Sequence, residues 1–438
     1  MRAALALACL AWVRTDAQIA LPGVQVPAVP VQVPVPVPAL PGAVDAVVGA
    51  GQTAIAGAGN RLNALTDARR VAAAALIRGN RVLLEADPDG EPIRRAELLA
   101  YAPTPAALQA ALGAGFQVVR RLPLTELDTE LVVLRAPANL NTRRSLARLR
   151  ALDRQGSYDY NHLYLGSASS PPEPATPAAQ PQPLAPAAAA AVRIGLIDGG
   201  VDGGHPDFAA VDLVSGGCDG QPHPSAHGTA VASLLVAAST FMSGPPVVLQ
   251  AMDVYCGQPD GGGVDALAEA FTALVRAQVS VINISLVGPR NLPLELLVRA
   301  VQRRGVLVVA AVGNDGPAAR PLYPAALPGV IAVTAVDGKR RVLAEACRGE
   351  HVQFAAPGAD IVAADLAHGR TGVRGTSFAA PIVTGLLARM LAEPHADAES
   401  ALSQLARQAV DLGKPGRDAV YGWGLVGASL PLAAMPTR

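Results

Sequence analysis

Three short boxes in this chain bring together the residue types that acyl transfer from an amide requires. They are Asp198-Gly199-Gly200-Val201, His227-Gly228-Thr229-Ala230-Val231-Ala232 and Gly375-Thr376-Ser377-Phe378-Ala379-Ala380-Pro381. A serine hydroxyl is a weak nucleophile near neutral pH, so it needs a base beside it, and the base needs an orienting group. His227 can take the proton of Ser377 and later hand it to the leaving amine, while Asp198 holds the imidazole tautomer and stabilises the imidazolium. Ser377, opening a helix, lies near backbone N–H groups that have no intrahelical partner and favour a developing oxyanion. Taken singly, Asp198 and Ser377 also read as helix caps and His227 as a core histidine. Three such boxes in one order, each at a strand–helix junction, favour the chemistry.

The elements around the boxes predict how they are held. Strand-like runs 192–198, 247–255, 279–286, 306–313 and 329–337 alternate with helical runs beginning at 227, 265, 294 and 376. That alternation predicts an α/β fold with a doubly wound, mostly parallel sheet, whose functional residues collect at strand C-terminal ends. Apolar residues make up 51% of the chain and aromatics only 3%, so Ala, Val and Leu must fill the core, as buried parallel strands require. The 35 basic and 35 acidic residues balance, which gives no electrostatic reason to expect a nucleic-acid partner.

Upstream, the chain divides by composition. Residues 1–17 read as a signal peptide, with Arg2, the apolar run Ala3 to Val13 and a cleavage site after Ala17, and they imply a secreted or periplasmic protein. No run is long enough for a membrane span. Residues 18–60 form a Pro/Ala/Gly-rich arm, extended where Val-Pro repeats. Residues 61–166 read as a small α+β domain: a helix over 61–79, then a β-α-β-β-α-β order over 90–166, with Thr104 and Asn141 as helix caps. The order suggests a ferredoxin-like module. Residues 167–190 are a Pro/Ala-rich linker, and 191–438 the α/β domain.

The boxes resemble those of the subtilisin-like serine peptidases, over about residues 190 to 430. The resemblance implies a serine endopeptidase acting on polypeptides through an acyl-enzyme, without a cofactor and as a monomer. It assigns Asp198, His227 and Ser377 as the triad, and Asn314, in Ala311-Val312-Gly313-Asn314-Asp315-Gly316, as an oxyanion donor with the Ser377 N–H. It implies that Ser285, Leu286, Val287 and Gly288 line the primary specificity pocket, facing Gly261, Gly262 and Gly263, and that both segments clamp an extended substrate as an added antiparallel strand. Leu322 falls where relatives have the pocket floor, often Gly, and implies a preference for small or medium apolar side chains. Tyr421-Gly422-Trp423-Gly424-Leu425-Val426 resembles the closing motif of such domains. The upstream module then resembles a propeptide that assists folding, inhibits the site and is cut off, with self-cleavage expected within 164–191.

Departures are equally informative. The family's calcium loop should follow the helix after His227, but 238–246 carries no carboxylate, so no metal is expected there. Asp260 and Asp265, flanking the three glycines, read as solvated. With Cys9 lost in the signal, three cysteines remain; Cys218 and Cys256 are the expected pair and Cys347 a buried thiol. A catalytically idle member of the same fold, used for peptide binding or envelope assembly, is the competing reading. An α/β-hydrolase is excluded, because residues 375–379 read Gly-Thr-Ser-Phe-Ala where that fold needs Gly-x-Ser-x-Gly.

Overall fold

The computed structural model describes residues 69–166, 173–174, 191–221, 223–241 and 246–432. The expected signal and arm lie outside the described residues, as do part of the predicted 61–79 helix and most of the linker.

The chain opens with α1, helical over 69–79. Next come β1 (Leu84–Ala86), β2 (Pro92–Tyr101), α2 (Pro105–Gly113), β3 (Gln117–Leu124), β4 (Thr129–Arg135), α3 (Thr142–Leu152) and β5 (Ser157–His162). The strands pair antiparallel in the order β5-β2-β4-β3, with β1 added along the start of β2. The two helices begin where the sequence places their caps: Thr104 Oγ1 accepts from Ala107 N at 3.1 Å and Asn141 Oδ1 from Arg144 N at 2.9 Å. One face of this sheet buries Leu98, Val132 and Leu134 under Leu108, Leu146 and Leu149 of the helices. The other face presents Leu99, Leu122, Leu131 and Val133 to the second half of the molecule and shares one apolar core with it.

That second half is built on a seven-stranded parallel sheet. Its strands are β8 (Val192–Asp198), β9 (Asp212–Gly216), β10 (Val247–Asp253), β11 (Val281–Ile284), β13 (Leu307–Ala311), β14 (Ile331–Val336) and β15 (Val352–Pro357). Their spatial order is β15-β14-β13-β11-β8-β10-β9, so the chain reverses direction across the sheet at β8. Such a reversal opens a crevice at strand C-terminal ends. Helices α4 (Ala226–Thr240), α7 (Thr376–Leu391) and α8 (Ala398–Gln408) contribute to the core on one face. Helices α5 (Val264–Arg276) and α6 (Leu292–Gln302) cover the other and meet the antiparallel sheet of the first half. As the composition demands, Ala, Val, Leu and Ile carry both cores, with few rings among them.

Among the described residues, five short strands lie outside the two main sheets. β6 (Leu165–Gly166) pairs with β12 (Leu286–Val287), and β7 (Glu173–Pro174) joins the hairpin β16 (Ile361–Ala364) and β17 (Arg370–Val373). The last strand of the order expected over 90–166 therefore ends early: β5 stops at His162 and the chain continues to β6 on the α/β half. Among the described residues no helix is long and apolar enough to cross a membrane.

Candidate active site

Asp198 is the last residue of β8 and is fully buried. Its carboxylate Oδ1 accepts from Gly199 N at 2.7 Å and lies 2.8 Å from His227 Nδ1. His227 occupies the first turn of α4, whose cap Ser225 accepts from Gly228 N at 3.0 Å. No Cβ fits at Gly228, since it would meet the Gly199 carbonyl oxygen at 2.2 Å; this close approach brings the two boxes together. Burial pulls the His227 pKa down, but the Asp198 charge and hydrogen bond outweigh it, and the net shift is upward.

Ser377 lies in the first turn of α7, entered through Gly375 at φ 138°. Its Oγ donates to the Ser285 carbonyl at 3.3 Å. His227 Nε2 is buried and has no hydrogen-bond partner among the described residues. The bond from serine to base is therefore not made in this conformation; such bonds commonly tighten only when substrate is bound. Phe378, next along the helix, tilts against the His227 ring at 5.6 Å between centroids.

Asn314 follows β13 and is 7% exposed. Its Oδ1 accepts from Thr376 N at 3.1 Å, and the Thr376 hydroxyl in turn accepts from Gly313 N at 3.1 Å. These two bonds fix the asparagine beside the start of α7 and turn its amide nitrogen the other way. Ser285 is tied in as well: its hydroxyl donates to the Ser377 carbonyl at 2.9 Å and accepts from Asn283 Nδ2 at 3.1 Å. The four residues singled out for chemistry are thus brought to one place.

Between the two segments expected to clamp substrate run the protein's own residues 163–166. Leu163 pairs antiparallel with Gly263, and Tyr164 N donates to Gly262 O at 2.8 Å. Beyond it, Leu165 lies opposite Val287 and Gly166 opposite Leu286. Gly288 pairs on its far side with Tyr323. Gly261 and Gly262 are needed as glycines, because a Cβ there would meet the Tyr255 and Tyr164 carbonyl oxygens at 2.4 and 2.5 Å. Tyr164 is fully buried, its hydroxyl donating to Pro289 O at 2.5 Å. At the end of this strand, a Cβ on Gly166 would stand 3.8 Å from the His227 ring. Leu322 is buried against Gly313: its Cδ1 would be 2.5 Å from a Cβ there, with Val287 and Cys347 Sγ close by at 3.5 Å. The Cys347 thiol is pushed up to about 12 by burial.

Cys218 and Cys256 form a disulfide across 38 residues, with Cα atoms 5.2 Å apart. It ties the loop leading to Ser225 and His227 to the end of β10, where the Asp253 carboxylate also accepts from His223, Tyr255 and Cys256 N–H groups. Among the described residues, Cys218, His223 and Asp253 are close enough together to suggest an ion site, but the sulfur is already bonded to Cys256.

One expectation fails. Asp265 is not solvated: it is fully buried at the start of α5, paired with Arg94 at 3.0 Å and with Arg120, both from the upstream domain. Asp260 is likewise engaged, its carbonyl accepting from Arg94 Nε and Nη2 at 3.1 and 3.0 Å. Read in isolation, an acidic residue beside glycines looks exposed, and only a partner 171 residues upstream reverses that. The sequence reading also missed Tyr164; three tyrosines within 158–164, in a chain with only seven, were its one signal.

Comparisons with known proteins point to one family. The subtilase family model matches residues 189–424. Subtilisin DY of Bacillus licheniformis is 31% identical over 246 residues, covering 54% of this chain and 88% of that protein. The minor extracellular protease Epr of Bacillus subtilis is 28% identical over 247 residues, and the chain spans only 37% of its length. The major intracellular serine protease of the same organism is 31% identical over 215 residues, with 45% of this chain and 67% of that protein covered. The crystal structure of fervidolysin from Fervidobacterium pennivorans, described as a keratinolytic enzyme related to subtilisin, superposes with a TM-score of 0.64 over 80% of this chain and 63% of that one; at 19% identity the likeness is one of fold. With more than half of its length matched, the chain belongs to the subtilase family of serine peptidases.

Proposed function

We propose that the chain is an extracytoplasmic serine endopeptidase made as a self-processed precursor, with Ser377 as nucleophile, His227 as base and Asp198 as its orienting carboxylate. The carrying observation is the short Asp198–His227 bond beside Ser377, with an extended segment of the chain already lying in the clamp next to it. In the reaction, Ser377 Oγ attacks the scissile carbonyl as His227 Nε2 takes its proton. Asp198 Oδ1 accepts from His227 Nδ1–H and stabilises the imidazolium. The Ser377 N–H and the Asn314 side-chain amide then hold the tetrahedral oxyanion. His227 passes the proton to the leaving amine, and water resolves the acyl-enzyme by the reverse sequence.

The same frame supports cleavage in cis. Gly166 borders the His227 ring, so the carbonyl of the next residue is the one that extended geometry carries to the nucleophile. The bond to be cut is Ser167–Ala168; the upstream domain inhibits within the uncut chain, and the fragment ending at Ser167 stays bound as the inhibitor afterwards. A small residue ahead of the cut agrees with a pocket narrowed by Leu322. Export is supported by the disulfide, which needs an oxidising compartment. The relatives include both an extracellular and an intracellular protease, so location is tested directly by fractionation.

The deciding experiment pairs fluorophosphonate labelling with mass analysis of the wild type and Ser377→Ala. Wild type should label and begin at Ala168, while the variant neither labels nor is cut. A correctly processed but unlabelled wild type would point to the idle fold.

A further inference from the structure

The β16–β17 hairpin stands apart from the seven-stranded sheet, and only one side of β17 is covered by its hairpin partner. On the other side lies β7, antiparallel, with Glu173 opposite Gly372 and Pro174 opposite Thr371. Among the described residues nothing else pairs with that edge. β17 ends at Val373, so only Arg374, Gly375 and Thr376 separate it from Ser377. Upstream of the cut, the chain lies on β12 and ends at Gly166 beside His227. Seven residue steps lead from Gly166 to Glu173, at most about 24 Å of extended chain. The two described ends of this stretch therefore lie at the clamp beside His227 and on β17.

We propose that the outer edge of β17, the side on which β7 lies, is a docking site for polypeptide substrate downstream of the scissile bond. It takes residues about six and seven positions beyond the cut as an added antiparallel strand, and the linker is its first occupant. This rests on the peptidase reading above. An unpaired strand edge offers a row of N–H and C=O groups that favours a further strand. The hairpin is braced to receive one: Arg370 is tied to Asp207 at 2.7 Å, and the Gly369 carbonyl at its turn lies 2.8 Å from the buried His205 Nε2. Because Arg370 is already paired, recognition falls to the main chain and asks little of substrate sequence. Proline is tolerated at the seventh position because the sixth supplies the N–H. The favoured substrate class is therefore unfolded or extended chain that continues well past the cut, not short peptides.

The test uses the full chain as produced and two internally quenched peptides. Both carry Tyr-Leu-Gly-Ser ahead of the cut; the short one stops at the third residue beyond it, and the long one continues as Ala-Ser-Ser-Pro-Pro-Glu-Pro-Ala-Thr. The long peptide should show kcat/KM about tenfold higher, a gain suited to one or two added backbone bonds. N-methylation of its Glu nitrogen should remove the gain. The protein's own arm competes for the edge, so the Glu173→Pro chain should widen the ratio. A long-to-short ratio within about twofold of one, in both wild type and Glu173→Pro, overturns the proposal. If neither peptide is cut, the peptidase reading falls and this inference with it.

Discussion

Removing the Asp265 carboxylate should loosen the upstream domain without disturbing the catalytic residues. Asp265 is fully buried, and both of its charged partners, Arg94 and Arg120, come from the domain proposed as inhibitor. Breaking a buried pair by deleting one partner costs roughly 3–5 kcal/mol, because the remaining charge is stranded. Arg94 is 20% exposed and Arg120 42%, so solvent screens much of that loss here. A discounted figure of about 2–3 kcal/mol remains, or roughly a 30- to 150-fold weaker complex. The assay dilutes the self-cleaved complex and follows the return of peptidase activity for wild type and Asp265→Asn. Equilibrium inhibition should weaken by that factor, and high salt should narrow the difference. After the inhibitor has gone, kcat/KM on a short peptide should match wild type. An unchanged affinity would refute the argument that these arginines hold the two halves together; an equal loss in catalysis would show that Asp265 acts elsewhere.

Four further outcomes follow from the site. A protonated His227 cannot act as base, and its pKa is raised, so kcat/KM should be full above that pKa and fall with acid on a limb centred above the ordinary histidine value. Asp198→Asn leaves burial as the surviving influence, so the limb should move to lower pH while turnover falls on the order of 10⁴-fold, as in triads generally; a limb that stays in place would contradict the assignment. Leu322→Gly should open the pocket beside Gly313 and raise the preference for Phe over Ala ahead of the cut at least about tenfold, read from a peptide library. Cys218→Ser should lower stability by up to about 4 kcal/mol, the loop-entropy figure for 38 residues, visible as a shift in the denaturant midpoint.

Much of the fold was legible because its signals are local. The run 306–313 is continuous and apolar, 192–198 nearly so apart from Arg193 and the terminal Asp198, and the caps at Thr104 and Asn141 sit at the helix starts they suggest. β9 was illegible: Asp212–Gly216 is an edge strand with mostly exposed residues and no apolar run. β15 to β17 were hidden because Gln353, Pro357, Asp360 and Asp365 break their apolar stretches into short pieces. At the site, Asp198, His227, Asn314 and Ser377 were readable as boxes, but Tyr164 and the Asp265 cluster were not. Both depend on contacts between residues far apart in sequence, and no window along the chain contains them.

The parallel sheet has an electrical consequence. Every strand ends on the same side, so α4 and α7, packed side by side, both begin there, with His227 and Ser377 in their first turns. Each helix places roughly half a positive charge at its start. Two such ends in one buried spot repel each other and oppose a charged imidazole between them. A tetrahedral oxyanion relieves that repulsion only as it forms, so the field favours the transition state over the bound peptide. Asp198 then serves as counter-charge to a pair of helix dipoles, allowing His227 to carry a proton in a place where the backbone alone would refuse it.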